Sequence, residues 1–114
     1  MSRDDAYVLD MLRFAREVME LSNGVTREYY LSNLEKRRSI ERSLELIGEA
    51  ARRVSGAYRT AHPEIPWREV IGQRSVLAHD YGEVSDKRVW DTVKSRVPDL
   101  VRSLERVVTP EERP

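Results

Sequence analysis

The sequence predicts an all-α protein: an antiparallel bundle of four principal helices, the last kinked at a proline. Three observations predict it. Apolar residues recur at spacings of three and four along most of the chain. No stretch alternates apolar and polar residues as a half-buried strand does, and there are no repeats or low-complexity runs. The periodic stretches are separated at Asn23-Gly24, at His62-Pro63-Glu64-Ile65-Pro66 and near Gly82, where the chain carries helix-stopping chemistry. A chain of 114 residues has room for one domain, expected over 1–108, with 109–114 a disordered tail.

Each element has a local reason. Ser2 is placed to cap the first helix, and Asp4 and Asp5 put negative charge at its positive end. Its apolar face is Val8, Met11, Leu12, Ala15, Val18 and Met19, and Asn23-Gly24 stops it. Thr26 is expected to cap a second helix that runs to Gly56. One stripe on that helix is Ile40, Leu44, Ile47, Ala51 and Val54, the spacing of a core face. A second, mixed stripe of Arg42, Leu46, Glu49, Ala50 and Arg53 is suited to another neighbour, such as a second subunit. Gly48 in mid-helix costs about 1 kcal/mol relative to alanine, which a close helix–helix approach would explain.

The prolines of the 62–66 connector keep the residues before them out of helical geometry. Pro66 or Trp67 then opens a third helix with Trp67, Val70, Ile71, Leu77, Ala78 and Tyr81 on its apolar face and Gly82 as its cap. Ser85 and Asp86 start the last helix. Its stripe of Val89, Trp90, Val93, Val97, Leu100, Val101, Leu104 and Val107 keeps its phase across Pro98, which argues for a kink rather than a break.

Composition excludes whole classes of function. With no cysteine there is no disulfide, thiol nucleophile or thiolate metal site, and two histidines are too few for a histidine-rich metal centre. No apolar run approaches the ~20 residues of a membrane span, and the acidic residues among the first 21 do not suit a signal peptide. A cytoplasmic domain is expected. Twenty basic and 20 acidic side chains give a net charge of zero, unlike a strongly basic nucleic-acid coat protein. The zero is a sum of unequal parts. Residues 35–59 and 87–106 are each +3, and residues 60–86 between them are −3. Arg37, Arg38, Arg52, Arg53 and Arg59, or Lys87, Arg88, Lys94 and Arg96, are candidate phosphate contacts. The plainer alternative is a set of solvated faces balanced by glutamates at helical spacing.

Arg74 is the oddity of the third helix. At roughly 100° per residue it lies within about 40° of Ala78 and about 20° of Tyr81, pointing into the apolar face. A charge there needs a partner, and a carboxylate such as Glu49 would serve as a structural ion pair. His79 follows five residues later. His62, beside Pro63, fits a packed or exposed role in the connector.

Arg74-Ser75-Val76-Leu77-Ala78-His79-Asp80-Tyr81 is arginine, four residues, histidine, one residue, tyrosine. This block resembles the signature of the HepT-like branch of the HEPN domain superfamily. The stretch Arg42-Ser43-Leu44-Glu45-Leu46-Ile47-Gly48-Glu49-Ala50 is similar to that family's second-helix motif. His62-Pro63-Glu64-Ile65-Pro66-Trp67 is similar to its connector, and Val89-Trp90 to the start of its last helix. The resemblance spans roughly residues 5 to 105. It implies an all-α homodimer and a metal-independent ribonuclease toxin without a cofactor. It implies a partner nucleotidyltransferase antitoxin of the MntA kind, which silences the toxin by adding AMP to the motif tyrosine. Carried over by position, Arg74 and His79 form the catalytic pair, Tyr81 accepts AMP, and Ser75 and Asp80 flank the motif. Ser75 departs from the polar amide or acidic residue usual there.

The residue inventory agrees with that chemistry. RNA carries its own nucleophile, the 2′-hydroxyl; histidine supplies an acid or base near neutrality and arginine a fixed cation. Two other functions suit the same sequence. One is a non-catalytic helical partner or regulatory subunit of a nucleotidyltransferase. The other is a purely structural helical dimer in which Arg74 sits in an ion pair.

Overall fold

The protein is described here by a computed structural model, covering residues 2–72 and 83–108. Every regular element among the described residues is a helix. In chain order they are α1 (Arg3–Ser22), α2 (Arg27–Ser32), α3 (Leu34–Arg53), α4 (Gly56–Ala61), α5 (helical over 67–72) and α6 (Glu83–Val107). At 1.5 Å per residue the 25 residues of α6 span roughly 37 Å, close to the 41 Å long dimension of the molecule.

α1 starts as its sequence dictates. The Ser2 hydroxyl accepts from the Asp5 N–H, and the Asp5 carboxylate accepts from the Ser2 N–H, a reciprocal capping box. Asp4 does a second job at the same end. Its two carboxylate oxygens take the Ser55 N–H at 2.8 Å and the Ser55 hydroxyl at 2.6 Å. These bonds, the hydroxyl's first, hold the Asp4 carboxyl below its ordinary value and pin α1 to the start of α4. At the other end Gly24 takes φ +72°, which lets the chain leave α1 at no steric cost.

The buried face of α1 is Val8, Leu9, Met11, Leu12, Ala15 and Val18. Met19, expected in that face, is 39% exposed. It lies at the edge of the stripe, whose next buried position is Ser22. On α3 the expected core positions Ile40, Leu44, Ile47 and Ala51 are all buried, as is Val54 just past its end. Of the mixed stripe, Ala50 is buried, Leu46 and Glu49 are half-buried, and Arg42 and Arg53 are exposed. α6 lays Val89, Trp90, Val93, Val97, Leu100, Val101 and Leu104 into the same core, running through Pro98 as one helix. Each large apolar side chain so buried contributes about 1.5–3 kcal/mol.

Two expected boundaries are corrected. The single helix from Thr26 to Gly56 is two helices, α2 and α3, divided at Asn33. The Asn33 backbone leaves helical geometry, its N–H closes on the Tyr29 carbonyl, and its carboxamide oxygen caps α3 through the Lys36 N–H at 2.8 Å. One residue therefore ends one helix and starts the next. Gly56 does not terminate α3, which stops at Arg53. Ser55 caps α4, and Gly56 is that helix's first residue. The Arg59 guanidinium reaches back to the Val54 and Arg52 carbonyls and satisfies the end of α3.

Candidate functional site

Arg74, Ser75, His79, Asp80 and Tyr81 lie outside the described residues, with Leu77, Ala78 and Gly82 of the same segment. The structure does describe the chain on either side of residues 73–82.

On the N-terminal side the connector is locked by its own side chains. Trp67 Nε1 donates to the His62 carbonyl at 3.0 Å, and Trp67 N–H donates to the Ile65 carbonyl at 2.9 Å. The Tyr58 ring lies 4.3 Å from the His62 ring and meets Trp67 edge-on at 6.2 Å. His62 Nδ1 sits 3.2 Å from the Glu64 carboxylate, so His62 has the packed role expected of it. Ile65, Trp67 and Val70 are buried, which drives α5 into the core as far as the residues before the motif.

On the C-terminal side the anchor is polar. Three residues after Glu83, the Asp86 carboxylate meets Arg37 Nε at 3.6 Å. Arg37 Nη1 also donates to the Tyr30 and Leu31 carbonyls at the end of α2. One turn further on, Trp90 stacks at 4.9 Å on Tyr30. Lys94 lies 5.0 Å over the Trp90 ring and reaches the Ser22 carbonyl at 3.4 Å. Lys36 donates to the Leu21 carbonyl at 3.0 Å. Cations from α3 and α6 thus cover the carbonyl ends of α1 and α2, where a helix carries partial negative charge.

A groove of about 770 Å³ opens beside α5 and α6 and reaches Gly72, the residue before the undescribed segment. Ile47, Val70, Val89, Val97 and Leu100 contribute apolar surface, and Glu69 and Arg96 form an ion pair at its rim. Arg88 and Glu64 also line it.

The basic blocks divide by use. Arg37, Arg59 and Lys94 are committed to backbone carbonyls. Arg38 pairs with Glu41 and Arg42 with Glu45 at helical spacing, the balancing by glutamates that the plainer alternative expects. Arg42 also approaches Glu49 at 3.9 Å. Arg52 and Arg53 are exposed in the last turn of α3. Exposed pairs of this kind are worth about 0–1 kcal/mol each, so they shape the charge surface more than the stability. Among the described residues no group of three or more His, Cys, Asp or Glu side chains is arranged to hold a metal ion. None of the described helices is long and apolar enough to cross a membrane.

The model of the HepT-like ribonuclease family matches residues 11–107. The chain belongs to the HepT-like ribonuclease family. The match takes in the α3 motif, the connector, the 74–81 block and all of α6. A ribonuclease HepT assigned in Thermococcus cleftensis is 35% identical over 102 residues, covering 86% of this chain and 93% of that protein. A candidate RNase of Methanocaldococcus jannaschii is 33% identical over 109 residues, covering 94% of this chain and all of its own. A candidate RNase of Caldanaerobacter subterraneus is 28% identical over 106 residues, with 93% and 95% covered. No solved structure matches the chain significantly.

Sequence reasoning did not single out the contacts that Arg37, Asp86, Tyr30 and Trp67 make on either side of residues 73–82. Trp67 carried a signal, since an indole N–H beside a proline connector needs an acceptor. Arg37 and Asp86 carried none, because the 48 residues between them hide their meeting.

Proposed function

We propose that this member of the family is a metal-independent endoribonuclease toxin of a HepT/MntA-type pair, acting as a homodimer through Arg74 and His79. The observation that carries this is the family match across residues 11–107, which runs through the whole Arg74–Tyr81 block. The relatives named as ribonucleases align over nearly their full length, which supports an activity belonging to the whole chain.

In the proposed reaction the ribose 2′-oxygen forms a bond to the neighbouring phosphorus while the bond to the 5′-oxygen breaks. The 2′-hydroxyl loses its proton and the departing 5′-oxygen gains one; His79 moves a proton at one of these positions. Arg74 bears on the charge that builds on the phosphoryl oxygens, where a planar, permanently charged guanidinium acts best. The products are a 2′,3′-cyclic phosphate and a 5′-hydroxyl. The nucleophile comes from the substrate, which suits a chain without cysteine.

The silencing partner is a nucleotidyltransferase. It would join the Tyr81 oxygen to the α-phosphorus of ATP and release pyrophosphate. The added anion would lie in the chain seven residues from Arg74, neutralising a cation that the substrate needs. Arg37, Arg59 and Lys94 are committed to carbonyls, so phosphate contacts would come from other cations such as the exposed Arg52 and Arg53. RNA binding should weaken with salt, with a slope that follows the number of phosphates neutralised.

The test is cleavage of RNA in EDTA by the parent, Arg74→Ala and His79→Ala, with folding checked by circular dichroism. The parent is expected to leave cyclic-phosphate ends, and both variants to lose most of the rate. Variants as active as the parent sink the proposal. A folded parent that binds a nucleotidyltransferase, cleaves nothing and arrests no growth points instead to the non-catalytic partner.

A further inference from the structure

We propose that the corner where α3 ends and α4 begins is a docking surface for the RNA backbone, on which the exposed Arg52 and Arg53 meet separate phosphates; for the identity of its ligand it rests on the ribonuclease function proposed above. The corner is the most one-sided stretch of charge in the chain. From Ala50 to Pro63 there are three arginines and no acidic residue, the longest acid-free run in a sequence with 20 acids. The carboxylates that flank it are turned to other partners. Glu49 approaches Arg42 at 3.9 Å, and Glu64 sits 3.2 Å from His62 Nδ1. α1 enters the same corner because Asp4 binds Ser55, and it brings Arg3, which is exposed. Asp4 and Asp5 come with it, but they already accept hydrogen bonds from Ser55 and Ser2. Arg3, Arg52, Arg53 and Arg59 thus outnumber two engaged carboxylates.

Geometry favours a strand of phosphates over one small anion. Successive side chains leave a helix roughly 100° apart, so Arg52 and Arg53 reach out in different directions. The Arg59 guanidinium binds the Val54 and Arg52 carbonyls and so steadies the backbone that carries both. The opposite end of the α1–α3 pair shows what this corner lacks. The two helices run antiparallel, with Asp4 meeting Ser55 at one end and Lys36 meeting the Leu21 carbonyl at the other. Among the described residues the exposed large apolar side chains are Met19, Tyr29 and Leu34, all towards that other end. Protein interfaces centre on apolar and aromatic groups. The arginine corner exposes Gly56, Ala57 and Thr60 instead. Charge without an apolar centre suits the phosphate backbone, where contacts position a strand without reading its bases.

The experiment uses the full-length protein and a fluorescent single-stranded RNA carrying 2′-O-methyl groups, which removes the nucleophile of the proposed cleavage. Anisotropy titrations over a range of salt compare the parent with Arg52→Ala/Arg53→Ala, Arg52→Lys/Arg53→Lys and Arg38→Ala/Arg42→Ala. The last pair removes the same charge from ion-paired positions elsewhere on α3. The alanine pair at 52 and 53 should weaken binding about tenfold at low salt and flatten the salt slope by about 1.4, at about 0.7 per phosphate. The lysine pair should keep most of the affinity and slope, and the pair at 38 and 42 should stay near the parent. Thermal melting checks the fold, and Arg52→Gln/Arg53→Gln repeats the test should the alanine pair be unstable. Parent-like affinity and slope in the folded variants at 52 and 53 would overturn the proposal. So would an equal loss in the pair at 38 and 42, which marks a general effect of net charge, or a parent that does not bind the RNA. Tighter binding of polyglutamate than of RNA, abolished by the alanine pair at 52 and 53, would assign the surface to an acidic protein and also overturn it. A parent that binds RNA through Arg52 and Arg53 yet cleaves no unmodified RNA would refute the ribonuclease function and leave the docking surface standing.

Discussion

The seam between α1 and α3 and the junction of α1, α2, α3 and α6 are held together by different physics. The seam is apolar and needs only shape: Met11, Leu12, Ala15, Ile40, Leu44 and Ile47 leave almost no surface exposed. The junction is directional. Lys36, Arg37 and Lys94 each reach a carbonyl at the end of another helix, and Tyr30 stacks on Trp90 between them. Apolar packing tolerates small adjustments because contact is lost gradually, whereas a cation on a carbonyl works over a narrow range of distance and angle. The seam therefore sets whether the chain folds. The junction sets how α6 sits against the ends of α1 and α2.

The largest effect should come from opening the seam. Leu12 is fully buried, and Leu12→Ala removes its contacts and leaves a cavity. A loss of about 2–5 kcal/mol is expected in urea denaturation, enough to leave a large unfolded fraction in a marginal domain. A loss below about 1 kcal/mol would show that the seam repacks around the gap and is less specific than its burial suggests.

Asn33 offers a smaller test on the junction side. Asn33→Ala removes the oxygen that caps α3, and a cost of about 1 kcal/mol is expected, near 4–8 °C in a domain of this size. A variant as stable as the parent would mean that packing of Tyr30, rather than the cap, divides α2 from α3.

The contrast also separates what the sequence made legible from what it did not. The seam was readable because burial imposes a period: Ile40, Leu44, Ile47, Ala51 and Val54 were recognisable from spacing, and all are buried. Ser2 and Thr26 were readable as caps because their signals are local. Asn33 was missed because one asparagine amid helix-forming neighbours does not announce that it will close one helix and open another. Gly56 was misplaced because glycine serves either end of a helix, and Ser55 beside it decides for a start. Met19 was assigned inward because a stripe's edge depends on which neighbours arrive. The Arg74–Tyr81 block was read only through its family resemblance, and it lies outside the described residues. Arg37 and Asp86 carry meaning only as a pair, and their pairing is a product of the fold.

The smallest effect is expected at Tyr30, and its sign matters more than its size. The ring is buried against Trp90, and its hydroxyl has no hydrogen-bond partner among the described residues. Burial pushes that hydroxyl well above its ordinary value of 10.0; the Glu41 and Asp86 carboxylates push the same way, and Arg37 and Arg38 oppose them. A raised value in the folded state means that folding favours the protonated form. The associated stability is fully present below pH 10 and is lost as pH climbs above it, where the unfolded chain ionises first. Tyr30→Phe keeps the ring contact and removes the orphan oxygen, whose burial costs about 1–3 kcal/mol. The variant should be as stable as the parent at pH 7 or up to about 1 kcal/mol more stable, and should lose less stability between neutral pH and pH 11. Melting curves at a series of pH values measure both. A clear loss at pH 7 would mean that the hydroxyl is bonded after all. The junction would then match the seam in having every buried group satisfied, and would differ from it only in the kind of contact it uses.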